Sequence, residues 1–350
     1  LTGAARILFG VLLFMAGFLY VPARMMLAAS PDGRIASLST AVGALVIGYI
    51  AILWTLIFVF DVGAAATWVV TRKGLGEMSP GTCQGIALTL WGLAAVLGVA
   101  GFLIANSTPS VTRLHLSIPN AEGRRFAVIS DAHLGAISLQ GQWRRTLQAL
   151  SELKPDALLI PGDLIDDRSD RAWSQVTLIR DFFPSLPVYV TTGNHEFYSG
   201  PREFRELCEK LQFNLLRQDS TALSPGLTVA GIDDLHFLTA SRAIESIRPR
   251  MEGAVLLLSH RPASAHEVSD RPQTLVLSGH THGGQTLPLV FLVALGNGGF
   301  RSGLYKVGDA SLYVTRGTGV WGPQMRVLAS PEILLIEVRP GERFEAAYQR

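Results

Sequence analysis

The sequence predicts a layered α/β domain of mixed sheets flanked by helices, preceded by an all-α transmembrane region of about three helices. Three observations predict it. The hydrophobic excess of the chain lies almost entirely before residue 106, short aliphatic runs recur after it, and amphipathic stretches separate several of those runs. Strands buried on both faces need helices as cover, so the second pattern calls for the third.

The apolar region comes first in the chain. Hydrophobic residues make up 48% of the 350 and charged residues only 17%, and the mean hydropathy of +0.31 is high for a soluble protein. Ile86 to Ala105 carries no charge, and at ~1.5 Å per residue it covers a hydrocarbon core of about 30 Å. Spans are expected near residues 7–25, 35–60 and 86–105, within a transmembrane region of residues 1–106. The first has the length of a signal-peptide core flanked by Arg6 and Arg24, but more spans follow and no small-residue cleavage site stands out, so it reads as retained. The chain starts at Leu1 rather than Met, so the true start, with room for another span, is expected upstream. Lys and Arg leave orientation open: Arg6, Arg72 and Lys73 favour one side, Arg24, Arg34 and Arg113 the other. Few charges lie within the spans, Asp61 standing at an edge, so a polar transport pathway is not evident. Ala94 and Gly98, four apart, suggest helix packing.

Asn106 to Ser110 has the composition of a linker. Strands are expected at Phe126 to Ser130, Ala157 to Ile160, Val188 to Thr192, Leu227 to Ile232, Val255 to Ser259, Leu275 to Ser278, Leu312 to Thr315 and Ile333 to Val338. Helices are expected at Trp143 to Leu153, Ala172 to Phe182, Arg202 to Leu211 and Ala243 to Arg250, giving one domain of residues 111–350.

Five of the strand-like runs stop at metal-type ligands: Ser130-Asp131-Ala132-His133, Gly162-Asp163, Gly193-Asn194-His195-Glu196, Ser259-His260 and Gly279-His280-Thr281-His282. In open α/β sheets, functional groups gather outside the carboxyl ends of the strands. Seven Asp, Asn and His side chains there are enough for a two-metal hydrolytic site. A single such residue is usually a turn or cap; the ordered series is not. A net charge of +2 argues against nucleic acid as a partner. The two cysteines, Cys83 beside the third span and Cys208 in the later domain, support no disulfide framework. His115, His236 and His266 match no motif and read as structural or surface residues.

The series, extended by Gly231-Ile232-Asp233-Asp234, Gly283-Gly284-Gln285 and Gly303-Leu304-Tyr305, resembles the calcineurin-like metallophosphoesterase superfamily over residues 124 to 338. Within it, the chain resembles the bacterial branch of membrane-associated phosphodiesterases and lipid phosphohydrolases. The resemblance implies a metallophosphoesterase-type sandwich, with one metal held by Asp131, His133, Asp163 and His282, and a second by Asp163, Asn194, His260 and His280. Carboxylate, amide and imidazole donors without thiolate suit two divalent ions, Mn²⁺ first, then Fe, Zn²⁺ or Mg²⁺. The implied reaction is attack of a metal-bridging hydroxide on phosphorus. His195 adjoins Asn194 yet is not needed as a ligand, so it is the candidate general acid, and related enzymes place a carboxylate at Asp166 to orient it. Glu196 stands where this branch more often has Asp.

From Leu287 to Leu295 a nine-residue apolar run is too short to span a bilayer; it reads as core or a buried strand, or as an interfacial segment that dips into lipid, or docks on the spans, and admits an acyl chain. The expected substrate is a phosphate ester or pyrophosphate of a lipid or lipid-linked molecule, with the lipid bilayer as partner and the bacterial inner membrane as location. Alternatives are a broad phosphodiesterase on soluble substrates and a non-catalytic metal-binding sensor or scaffold. The complete ligand series with His195 argues against the second.

Overall fold

The computed structural model describes residues 34–71, 78–119, 121–234 and 239–348, together with Tyr20 and Met25. The span expected near residues 7–25 therefore lies outside the described residues, apart from those two positions, as does His236. Two helices, Arg34–Thr71 and Pro80–Ala105, are long and apolar enough to cross a membrane. The first has 38 residues and runs unbroken through Asp61, and at ~1.5 Å per residue it exceeds the thickness of a hydrocarbon core. The second starts at Pro80 rather than near Ile86, so Cys83 lies inside it and not beside it.

These helices belong to one of two compact units, which also takes in Gln285–Phe291 and Gly322–Leu328. Its packing explains the small residues. Ala94, Gly98, Gly101 and Ala105 form the buried stripe of the second helix. A Cβ on Gly101 would stand 3.0 Å from Val327 Cγ2 and 3.3 Å from Met325 Cβ, and the backbone of Arg326 donates to the Gly101 carbonyl at 2.9 Å. Ile52, Leu53, Ala94, Leu287, Val290, Met325 and Val327 make one apolar cluster. The run at residues 287–295 is thus not a buried strand. It forms a short helix, Leu289–Leu292, and a 3-10 turn, Val293–Gly296, with Leu289, Phe291, Leu292 and Leu295 exposed.

The second unit comprises Asn106–Gly284, Leu292–Trp321 and Ala329–Arg350. Its strands are β1 Ser110–Ile118, β2 Arg124–Val128, β3 Ala157–Pro161, β4 Val188–Thr191, β5 Asn214–Leu215, β6 Asp219–Ser224, β7 Leu227–Gly231, β8 Ala254–Leu258, β9 Thr274–Ser278, β10 Gly303–Val307, β11 Ala310–Val314, β12 Glu332–Pro340 and β13 Glu345–Tyr348. They form a seven-stranded sheet, β13-β1-β12-β2-β3-β4-β5, and a six-stranded sheet, β10-β11-β9-β8-β7-β6. Both are mixed: in the first, β2 to β5 run parallel and meet the parallel pair β1 and β12 antiparallel through β2, with β13 antiparallel on β1; in the second, β7, β8, β9 and β11 run parallel with β6 and β10 antiparallel at the edges.

All eight expected runs are strands. Between the sheets lies one apolar layer that includes Phe126, Val128 and Leu159 from the first and Leu256, Leu258 and Leu277 from the second. A second layer covers the outer face of the first sheet, where Leu147, Leu150, Phe204 and Leu207 come from helices Gln140–Leu153 and Pro201–Lys210. The helix expected at residues 172–182 is broken at Thr177 into Ser169–Val176 and Leu178–Phe182. The carboxyl ends of β2, β3 and β4 in one sheet and of β8 and β9 in the other carry the ligand-type residues.

Candidate metal centre

Tight turns aim these side chains inward. Asp131, His133, Asp163, His280 and His282 all have φ between 48° and 69°, a left-handed conformation that costs a non-glycine residue about 1–2 kcal/mol. Such strain persists only where neighbours hold it. Glu196, fully buried, is one holder: its Oε2 accepts from the backbone N–H of Gly193 (2.7 Å) and of Asp163 (3.0 Å), and its Oε1 from Ile165 (3.1 Å). Gly162 is another, since a Cβ there would lie 2.6 Å from Gly193 N and 2.8 Å from His260 Nδ1.

Among the described residues three groups of ligand-type side chains result, and two of them are built from the expected ligands alone. Asp131, His133 and His282 present one, with His282 Nε2 at 3.0 Å from His133 Nε2 and 3.4 Å from Asp131 Oδ1. Asp163, His260 and His280 present the other, with His260 Nε2 at 3.1 Å from Asp163 Oδ2 and 3.2 Å from His280 Nδ1. Asp163 Oδ2 is also 3.8 Å from His133 Nε2, so one carboxylate oxygen reaches both. His260 Nδ1 faces the Pro161 carbonyl at 3.0 Å, which keeps a proton on Nδ1 and leaves Nε2 as a ligand.

The donors fit metal ions. Asn194 Oδ1 and Asp131 Oδ2 are buried and have no hydrogen-bond partner among the described residues, a cost of about 1–3 kcal/mol each that a cation removes. Burial raises the Asp131 carboxyl. Burial also opposes ionisation of Asp163, but the charges of His260, His195 and His133 outweigh it and hold that carboxyl well below its ordinary range. Burial and the charges of His260 and Arg261 push His280 down to about 3.

His195 forms the third group with Asp166 and His133, whose ring is 4.6 Å from its own between centroids. Its Nδ1 is 2.5 Å from Asp166 Oδ1, and its backbone N–H donates to Asp163 Oδ1 at 2.9 Å. Burial works against a charged ring, but the close Asp166 carboxylate and the charge of Asp163 prevail and raise its pKa. Asp166 Oδ1 also lies 3.7 Å from His133 Nδ1, so it faces a candidate ligand histidine as well as His195. Tyr198 and Trp321, both exposed, border the His195 ring at 5.4 and 6.4 Å between centroids.

All nine residues singled out in the sequence for this site lie at these two clusters or beside them. Sequence reasoning left Glu196 without a role and did not single out Arg261, Tyr198 or Trp321. Arg261 was signalled by its place directly after His260. His115 pairs with Glu337 at 3.5 Å on β1, and His266 lies 5.3 Å from the Phe300 ring, so both are remote in role from the clusters.

The calcineurin-like phosphoesterase family matches residues 124–284. A zebrafish protein named transmembrane protein with metallophosphoesterase domain is 33% identical over 270 residues, 71% of this chain and 61% of that protein. An uncharacterized metallophosphoesterase of Campylobacter jejuni is 34% identical over 262 residues, 72% of this chain and 69% of that protein. Another, from Bacillus subtilis, is 30% identical over 233 residues, 62% of this chain and 80% of that protein. The chain thus spans about three fifths of the zebrafish relative's length.

Proposed function

Because the chain belongs to the calcineurin-like metallophosphoesterases, metal-dependent hydrolases of phosphoesters, we propose that it is a membrane-anchored, di-metal phosphohydrolase acting on a lipid or lipid-linked phosphate ester or pyrophosphate. The observation that carries the di-metal reading is the single Asp163 oxygen facing His260 on one side and His133 on the other. Asp131, His133, Asp163 and His282 would hold one ion, and Asp163, Asn194, His260 and His280 the other, with Mn²⁺ the first fit. When bound, the ions supply Lewis acidity, neutralising phosphoryl charge and lowering the pKa of an attacking water.

The chain's own residues supply the rest. With Nδ1 engaged by Asp166, His195 has Nε2 left to give a proton to the leaving oxygen. Its raised pKa keeps more of the ring protonated near neutrality. Asp166 fixes the tautomer and stabilises the charged ring. Glu196 clamps the Asp163 and Gly193 turns together.

Membrane anchoring, for which the bacterial inner membrane is the proposed location, and a lipid substrate draw support from two features. Two helices have spanning length and hydropathy, and Leu289, Phe291, Leu292 and Leu295 are exposed a few residues after His282. The test is hydrolysis by detergent-purified, Mn²⁺-reconstituted protein of a panel of phospholipids, lipid pyrophosphates and soluble aryl phosphates, with His195→Ala as control. Turnover of a lipid phosphate that His195→Ala loses is the expected result. Efficient cleavage of the soluble esters with no lipid turnover would remove the lipid substrate and leave the phosphohydrolase.

A further inference from the structure

Arg261 directly follows His260, and the ligand set gives it no task. Its guanidinium is nonetheless held in place. Nε donates to Oδ2 and Oδ1 of Asp234 at 2.8 and 3.1 Å, and that carboxylate, just beyond the end of β7, is fully buried. Nη1 lies 3.3 Å from Nε2 of His280. Among the described residues no acceptor reaches Nη2, and the side chain is 31% exposed.

The contact between Nη1 and His280 cannot survive ligation. His280 turns Nδ1 toward His260 and the cluster, so a neutral ring ligating through Nδ1 carries its proton on Nε2. Two N–H groups would then face each other. Nη1 consequently loses the one acceptor it has among the described residues when Nδ1 is used, and among those residues both terminal nitrogens of a fixed, planar, permanently charged fork are then left to a ligand beside the second cluster. Such a fork matches phosphate oxygens.

We propose that Arg261 binds a terminal oxygen of the substrate's phosphoryl group and makes the site prefer a phosphomonoester, or the terminal phosphate of a pyrophosphate, over a diester. The preference follows from counting oxygens. A diester has two non-bridging oxygens and a single negative charge. A monoester or terminal phosphate has a third oxygen and more charge, which gives the fork a partner that a diester lacks. The inference rests on the phosphohydrolase reading and narrows its substrate class.

The experiment compares wild type, Arg261→Met and Arg261→Lys as full-length, Mn²⁺-loaded proteins, with metal content checked in each. Equilibrium binding of inorganic phosphate is measured by calorimetry, and kcat/KM for an aryl phosphomonoester and the matched diester by steady-state kinetics. For Arg261→Met, phosphate affinity should fall about 10- to 100-fold, with the monoester-to-diester ratio falling alongside it. Arg261→Lys keeps the charge but not the fork, and should also lower the ratio. If Arg261→Met does not retain metal, the lysine variant decides: an unchanged ratio there overturns the proposal. So does phosphate affinity within threefold of wild type in metal-loaded Arg261→Met. A wild type that hydrolyses neither ester refutes the parent reading instead, whereas a wild type active on both and indifferent to Arg261 refutes only this one.

Discussion

Asp166 and Asp234 are buried carboxylates that each hold a basic side chain beside the ligand clusters, and they lead to different chemistry. Asp166 sits 2.5 Å from Nδ1 of His195; Asp234 sits 2.8 Å from Nε of Arg261. Imidazole has one proton to lose near neutrality, so its carboxylate partner tunes an acid. A guanidinium never loses its proton, so its partner only aims a charge. On the proposed reading, one side of the centre would move a proton and the other would hold an anion, by the same local device.

Substituting the residue common to both sides has the largest expected effect. Asp163 faces both clusters through Oδ2 and accepts the His195 backbone N–H through Oδ1. Asp163→Asn should drop metal content below two ions per chain and turnover to background, as mass spectrometry of metals and a phosphatase assay would show. Full metal occupancy in that variant would mean that the clusters do not depend on a shared carboxylate. His195→Ala comes next and touches one side only. It should keep both metals and lose kcat by about 10²- to 10⁴-fold.

Asp166→Asn is the milder version of the same cut. A loss of about 10- to 100-fold in kcat is expected, with a diagnostic shift in pH dependence. The charge of Asp166 raises the His195 pKa, and the acid must be protonated to act. Removing that charge lowers the pKa, so the alkaline limb of the kcat profile should move to lower pH. An unmoved limb would deny Asp166 its role on the proton side.

The two sides were unequally legible in the sequence. His195 and Asp166 lie within or next to ligand motifs, and strand-end spacing brings such residues together in any α/β sheet. Asp234 and Arg261 are 27 residues apart, and only the adjacency of β7 and β8 makes them neighbours. The left-handed turns at Asp131, His133, Asp163, His280 and His282 were equally hidden, because spacing says nothing of φ. Among the strands, β1 escaped the search for aliphatic runs because it alternates. Its buried Leu114, Leu116 and Ile118 are separated by His115 and Ser117, a period of two that could have revealed it. The division of residues 285–291 and 322–328 from their neighbours in sequence had no signal, since nothing in composition distinguishes apolar side chains that join Ile52 and Ala94 from those that fill a sheet.

Asp234→Asn carries the smallest expected effect and separates the two sides most finely. The substitution keeps the shape and one acceptor oxygen for Arg261 Nε, but removes the negative charge that fixes it. Arg261 stays charged and partly exposed, so water can take the lost contact and the fork becomes free to sample other directions. The loss is then of orientation rather than of charge, which calls for less than a full charge-assisted hydrogen bond, about 3- to 10-fold in KM for a phosphomonoester. No group that delivers a proton is altered, so kcat and the alkaline limb should stay as in wild type, the reverse of the Asp166→Asn outcome. Steady-state kinetics across pH on the two variants side by side makes the comparison. Should Asp234→Asn instead depress kcat together with metal content, Asp234 would be supporting His280 and the second cluster, and the line between an acid side and an anion side would disappear.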